Sequence, residues 1–369
     1  MADQVLTLRE LNRTLLARQL LLARVSLSPV AAIERLIGLQ GQVANAPYIG
    51  LWTRLRGFQH DDLSRAIEQR KVVKATVMRA TLHLFSATDY LRFRRVLQPP
   101  LSRSLTSVST NRMAGIDIEQ VAAEARVHME EQPRTFAELR DLLVASHPGA
   151  DERMLGYSVR MHLPTLHAYP GGVWDNNKEA AQVVAEDWLG QPLDAGEDAL
   201  PELIRRYLVA FGPATVADFQ KWSGLQGMRS TFEQLRPVLR TFRTEQGKEL
   251  FDLPDGLLAA ADRPVPVIFT ADYDNIVLAH EDRSRIVARE YHARVFNPAT
   301  RVWATFLVDG FVAGIWKVER KKKLATLTLT PFAPLSPAVQ AALSEEGERL
   351  VRFAAPDSAQ FVVQIAVIS

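Results

Sequence analysis

The chain has 369 residues, 47% hydrophobic and 23% charged, with no cysteine and a formal net charge of +2. A chain of this length divides by default into about two to four domains, and its composition excludes a disordered or collagen-like polymer. The lack of cysteine excludes disulfides, cysteine-ligated zinc, iron–sulfur clusters and a thiol nucleophile.

The opening residues, from Met1 to Leu11, lack a basic segment followed by an apolar one, and no run reaches the ~20 apolar residues that span a bilayer. A cytoplasmic protein with no membrane partner is expected. The charge balance is too even to name a nucleic-acid partner. Arg and Lys do cluster, at Arg92, Arg94 and Arg95, at Arg103, and at Arg320 to Lys323. Each cluster alone reads as a solvated face.

Along the chain, Thr7-Leu8-Arg9-Glu10 is a capping box that starts a helix carrying Leu11, Leu15 and Leu16 inward. Ser28 then suits an N-cap and Pro29 the first helical position, with Ile33, Leu36 and Ile37 on one face. Asn45 before Ala46-Pro47 opens a third helix through Tyr48, Leu51, Trp52 and Leu55. After a further short helix, the β-prone runs Val72 to Val77 and Thr81 to Phe85 form a hairpin. Helices followed by a hairpin describe a winged helix.

The grammar repeats. A helix near Ile118 to Met129 leads to Thr135-x-x-Glu138, a helix around Met154 to Leu163, and a wing from Leu166 to Val184 bent at Pro170-Gly171-Gly172. Next, Leu203 to Phe211 is helical, Thr215 with Asp218 caps another helix, and Phe232 to Leu239 precedes a wing turning near Gln246-Gly247. From about Pro264, short β-rich runs at Val265 to Phe269, Val302 to Leu307, Phe311 to Val318 and Leu324 to Leu329 read as a small barrel or sandwich. A helix, Ser336 to Phe353, and a strand, Gln360 to Val367, close the chain.

Several stretches carry a family resemblance. They are Leu39-Gln40-Gly41-Gln42 with Pro47-Tyr48 and Leu51-Trp52, and Arg79-Ala80-Thr81-Leu82-His83-Leu84. Further along come Phe211-Gly212-Pro213-Ala214-Thr215 with Asp218 and Trp222-Ser223-Gly224-Leu225, then Tyr273-Asp274-Asn275 with His280 and Asp282-Arg283-Ser284-Arg285. Together they resemble the AlkZ/YcaQ family of winged-helix DNA glycosylases. The resemblance implies an α+β fold of three tandem winged-helix units in a C-shape, with a C-terminal β-barrel and DNA on the concave side. The expected boundaries are 1–115, 116–197, 198–263 and 264–369.

It also implies catalysis by Gln40 and Gln42 and excision of N7-alkylguanine or N3-alkyladenine, with no cofactor. Retention of Gln42 is similar to the branch whose members are self-resistance enzymes acting on bulky adducts or interstrand crosslinks of natural-product toxins. Gly41 departs from the family pattern, which has an aliphatic residue between the glutamines. The partner implied is double-stranded DNA containing alkylated purines, bound by a monomer.

Within a helix, residues two apart point about 200° from each other, so the chain is expected to leave the helix between Gln40 and Gln42, using the freedom of Gly38 and Gly41. A carboxamide positions a water without deprotonating it. That suffices only when the leaving base already carries positive charge. The spacing alone fits two glutamines that merely cap carbonyls.

The expected DNA-binding residues are Arg79, Thr81, His83, Asn275, His280, Arg283 and Arg301. Strand alternation would put Arg79, Thr81 and His83 on one face. A structural His83 is an equal alternative, as is a self-satisfied polar network for Asn275 to Arg285. The hairpin around Phe296 to Arg301 could enter a groove or be a plain loop. His280 and Asp282 do not make a metal site, and none is expected. The competing reading is a winged-helix transcription regulator without chemistry, or a protein that sequesters a ligand.

Overall fold

The computed structural model describes residues 4–108, 112–113, 115–194, 196–297 and 301–367. The chain enters through strand β1 (Val5–Leu6) and the helix Leu8–Arg18, which the Thr7/Glu10 capping box starts. Ser28 caps the helix Pro29–Leu36 through the Ala31 amide. That helix ends at Ile37 and Gly38, both left-handed, at φ 52° and 83°. Their amides return to the Glu34 and Ile33 carbonyls, which satisfies the last turn. Leu39–Gln40 then forms the short strand β2.

Two more helices, Ala46–Arg54 and His60–Glu68, precede β3 (Val72–Thr76) and β4 (Leu82–Ser86), which pair antiparallel with β2 on the outer side of β4. Asn45 stands at the predicted cap position but makes no cap bond. Its amide holds Asp175, with Nδ2 to Oδ1 at 2.6 Å and the Asp175 amide returning to Oδ1 at 2.9 Å.

The same order of elements recurs. Helices Ile118–Glu131, Phe136–Ser146 and Glu152–His162 lead to β5 (Thr165–His167) and β6 (Gln182–Val184). Helices Ala199–Phe211, Val216–Ser223 and Arg229–Leu235 lead to β7 (Arg240–Thr244) and β8 (Glu249–Asp252), with β1 added parallel to β7. The predicted boxes at Thr135/Glu138 and Thr215/Asp218 both form. Each supplies about 1 kcal/mol by satisfying first-turn amides.

The final part corrects the barrel expectation. β9 (Ile268–Thr270), β10 (Thr305–Val308), β11 (Phe311–Lys321), β12 (Leu324–Pro331) and β13 (Gln360–Ile365) form a sheet in the order β13-β12-β11-β10-β9, and among the described residues it is open at β9 and β13. The helix Pro337–Ala354 explains why. It crosses between the parallel pair β12 and β13 and lays Leu343, Leu350 and Val351 on the sheet. A helix therefore covers the apolar face that closure would otherwise bury.

One apolar core runs through all these parts, joining Leu15, Phe85, Leu166, Tyr207, Phe251, Ile276 and Leu307. Two buried, bidentate ion pairs lock distant segments. Arg18 meets Asp252 at 2.8 Å through both nitrogens, and Arg54 meets Asp274 at 2.9 and 2.7 Å. Among the described residues, no helix is long and apolar enough to cross a membrane.

Candidate active site and nucleic-acid interface

The two glutamines are presented by a strand end, not a helix end as expected. The helix has already stopped at Leu36, because Ile37 and Gly38 turn the chain left-handed. Gln40 pairs with His83 across β2 and β4, and the Gly41 amide donates to the Leu82 carbonyl at 2.8 Å. Gln40 is buried and Gln42 is exposed.

Their amides have different partners. Arg79 Nη2 donates to Gln40 Oε1 at 2.9 Å, and the Leu82 amide donates to Gln42 Oε1 at 3.3 Å. Among the described residues neither side-chain nitrogen has a hydrogen bond, and the two carboxamides do not bond each other. Each glutamine is thus held by its oxygen and keeps its NH2 free to donate.

Arg79 does not lie on the strand face predicted for it. It sits with Met78 and Ala80 in a 3-10 turn, at φ 54°, and β4 begins only at Leu82. From that turn its Nη1 donates to the Trp222 carbonyl, so one guanidinium ties Gln40 to the end of the helix Val216–Ser223. Gly224 makes the approach possible, since a Cβ there would stand 3.0 Å from Pro100 Cβ and 3.4 Å from the Arg79 amide nitrogen. Burial, and secondarily the Arg283 charge, pushes the Arg79 guanidinium down to about 10.

His83 is fully buried, and its Nδ1 donates to the Thr81 carbonyl at 2.9 Å. That bond assigns the lone pair to Nε2, which faces Arg79 Nη2 at 3.5 Å. Burial, reinforced by the Arg79 charge, pushes the imidazole down to about 3. His83 is therefore neutral at physiological pH and does not serve as a general acid. Thr81 bonds the Met78 carbonyl through its hydroxyl.

The remaining predicted contacts divide. Asn275 is buried and donates to the Gly38 carbonyl at 2.8 Å, which fixes the turn before Gln40. His280 is buried against the Phe211 carbonyl at 3.1 Å. Both side chains are turned inward, as in the self-satisfied alternative. Arg283 is half-buried over the Phe296 ring at 4.0 Å. Exposed Arg301 pairs with Asp272 at 2.8 Å and stacks on Trp303. Of the hairpin expected around Phe296 to Arg301, Phe296 bridges Val302, and residues 298–300 lie outside the described residues.

Most of the clustered arginines are engaged within the protein. Arg92 meets Asp194, Asp198 and Glu202, Arg94 is buried against Gln98, Arg103 donates to the Gly224 carbonyl, and Arg320 meets Asp175.

Lys74 of β3 was missed by the sequence reading. It is only 8% exposed and, among the described residues, its ammonium has no hydrogen bond or ion pair. It stands with Gln42 in a cleft of about 250 Å³ between the first hairpin and the second group of helices. The signal was a lysine inside an otherwise apolar, β-prone run.

A family model described as DNA glycosylase AlkZ-like matches residues 33–353. A protein of Streptomyces sahachiroi named interstrand DNA cross-link repair glycosylase is 24% identical over 357 residues, covering 91% of this chain and 93% of its own length. The solved structure of the Streptomyces sahachiroi DNA glycosylase AlkZ superposes with a TM-score of 0.80 at 19% identity, over 98% of this chain and all of that one. The family match over most of the length, with the Gln-x-Gln strand end held by Arg79, places the chain in the AlkZ-like family of DNA glycosylases.

Proposed function

We propose that this protein is a monofunctional DNA glycosylase that hydrolyses the N-glycosidic bond of cationic alkylated purines, N7-alkylguanine and N3-alkyladenine. The observation that carries the reading is the Gln40 amide clamped by Arg79 beside a neutral His83. Among the described residues no carboxylate bonds to Gln40, Gln42, Arg79 or His83. Such a site has hydrogen-bonding dipoles but no strong acid.

In the reaction, the C1′–N bond breaks and its electron pair neutralises the positive charge already on the base. The departing purine needs no proton. The sugar becomes an oxocarbenium ion, and a water held by the carboxamides attacks C1′ and releases its proton to solvent. Gln40 contributes its remaining oxygen lone pair and its free NH2, in an orientation that the Arg79 hydrogen bond selects. Preorganised dipoles of this kind need no reorganisation as charge develops.

The three helix-and-hairpin groups fit winged-helix units that bind duplex DNA as a monomer. The name of the Streptomyces sahachiroi relative motivates extending the substrate range to bulky adducts and interstrand crosslinks. Duplexes carrying N7-methylguanine or uracil at the same position test the reading. Release of free methylguanine, leaving an abasic site, with no uracil release, is the expected result. Efficient uracil release would require an acid that this site does not have.

A further inference from the structure

The side chain of Lys74 is packed in a way that its fold does not require. Lys74 lies opposite Leu84 on the β3–β4 ladder, on the face that also carries Leu39. Its methylenes run between two glycines. A Cβ at Gly41 would stand 3.6 Å from Lys74 Cε, and one at Gly172 would stand 3.3 Å from Lys74 Cδ. Gly172 is left-handed at φ 95° in the connection between β5 and β6, so the lysine passes from the first hairpin across to the second. Gly41 is the residue between the two glutamines. A Cβ there would be in ordinary contact with the lysine, and it is Leu84, whose Cδ1 would be 2.7 Å away, that leaves no room for it.

The chain therefore delivers an ammonium beside the Gln-Gly-Gln strand end and gives it no counterion. The cleft it reaches is lined also by Gln42, Phe136, Arg160, His167 and Asn176. Arg160 stacks over Phe136 at 4.2 Å and, among the described residues, makes no ion pair. The carboxylate nearby, Glu179, accepts from the Ala137 amide at 3.2 Å, at the start of the helix Phe136–Ser146. Burial pushes the Lys74 ammonium down, and burial with the charges of Lys74 and Arg160 pushes His167 down to about 3. A buried cation without a partner is costly unless an anion arrives.

We propose that this cleft is a phosphate-binding subsite, in which Lys74 and Arg160 hold a backbone phosphate of the lesion-bearing strand and so fix that strand against Gln42. The phosphate supplies the missing counterion. Neutral His167 and the Asn176 amide supply hydrogen bonds to its oxygens. The inference rests on the proposed DNA substrate.

The test uses the full chain and a duplex carrying one tetrahydrofuran abasic analogue, with single methylphosphonates placed in turn within about three nucleotides of it. At one position the neutral linkage is expected to weaken the wild type about tenfold and Lys74→Met clearly less, because only the Arg160 contact is left to lose. Lys74→Met is also expected to lower the slope of log affinity against log salt by about 0.9, the value for one phosphate contact on duplex DNA. Arg160→Gln, away from the glutamines, should show the same non-additivity at that linkage. Lys74→Met should melt no lower than the wild type in the absence of DNA, because it removes an unpaired buried charge.

Losses that add at every linkage, or an unchanged salt slope, would overturn the subsite. A borohydride-trapped adduct on a true abasic site that vanishes in Lys74→Met would overturn it too, showing the amine to be a nucleophile. Failure of the wild type to release methylguanine would instead remove the glycosylase reading, so the two failures are distinguishable.

Discussion

Replacing Arg79 separates orientation of the proposed catalytic amide from contact with DNA. Its Nη2 donates to Gln40 Oε1 at 2.9 Å while its Nη1 holds the Trp222 carbonyl. Hydrogen bonds to charged groups contribute about 1.5–3 kcal/mol. That energy is what prefers one of the two flipped orientations of the Gln40 amide, so its loss corresponds to roughly 10- to 150-fold in rate. Arg79→Asn suits the left-handed backbone at φ 54°, and Arg79→Lys keeps the charge but not the two-pronged geometry.

Both variants are expected to slow single-turnover release of N7-methylguanine within that range at saturating enzyme. Affinity for undamaged duplex should change less than threefold. Thermal melting checks that the link to Trp222 is not needed for folding. If excision at saturation stays at the wild-type rate while affinity for undamaged DNA falls, Arg79 meets phosphate and the clamp reasoning is refuted.

Other perturbations follow from the same contacts. Gly41→Val should destabilise by about 1–3 kcal/mol, because its Cβ would lie 2.7 Å from Leu84 Cδ1. Urea unfolding measures this, and an unchanged midpoint would mean that the strand end has more room than the structure shows. Asp274→Ala leaves the buried Arg54 guanidinium unpaired and should cost about 3–5 kcal/mol. Arg54→Met combined with Asp274→Ala should recover part of that loss, and strictly additive losses would argue against a coupled pair.

Acid should destabilise the fold, because His83 has a folded-state value of about 3 against 6.5 when exposed. The folded state binds fewer protons, so this contribution is complete above pH 6.5 and is lost as pH falls toward 3. At pH 5 the loss amounts to about 2 kcal/mol. His280, also pushed down by burial and by Arg285, acts in the same direction. His83→Gln should flatten the dependence between pH 6.5 and 5, and an unaltered slope there would mean that His83 is protonated in the fold.

The parts of the molecule legible in the sequence were those set by local chemistry. The boxes at Thr7, Thr135 and Thr215 need only a hydroxyl and a carboxyl three residues apart, and all form. The turn at Gly247 was legible for the same reason. What failed was non-local. The β2 strand exists because β4, some forty residues on, offers it an edge, so a reading from helix periodicity carried the helix too far. The barrel failed similarly, since nothing before Ser336 says that the next helix will cover the sheet.

Site chemistry divides along the same line. Gln40, Arg79 and His83 were singled out by type and are brought together. The direction of Asn275 and His280 was not legible, because it depends on the carbonyls of Gly38 and Phe211 from other segments. Lys74 was visible as a charge among valines, but its burial comes from Gly172 in the second hairpin.

In the proposed mechanism the two carboxamides perform the chemistry. Single-turnover excision of N7-methylguanine from duplex DNA by Gln40→Ala and Gln42→Ala, at saturating enzyme and with melting temperatures matched to the wild type, tests it most directly. Loss of one preorganised polar group predicts a fall on the order of 10²-fold for each variant. Wild-type rates in both would contradict the account and remove the Gln-x-Gln pair from catalysis.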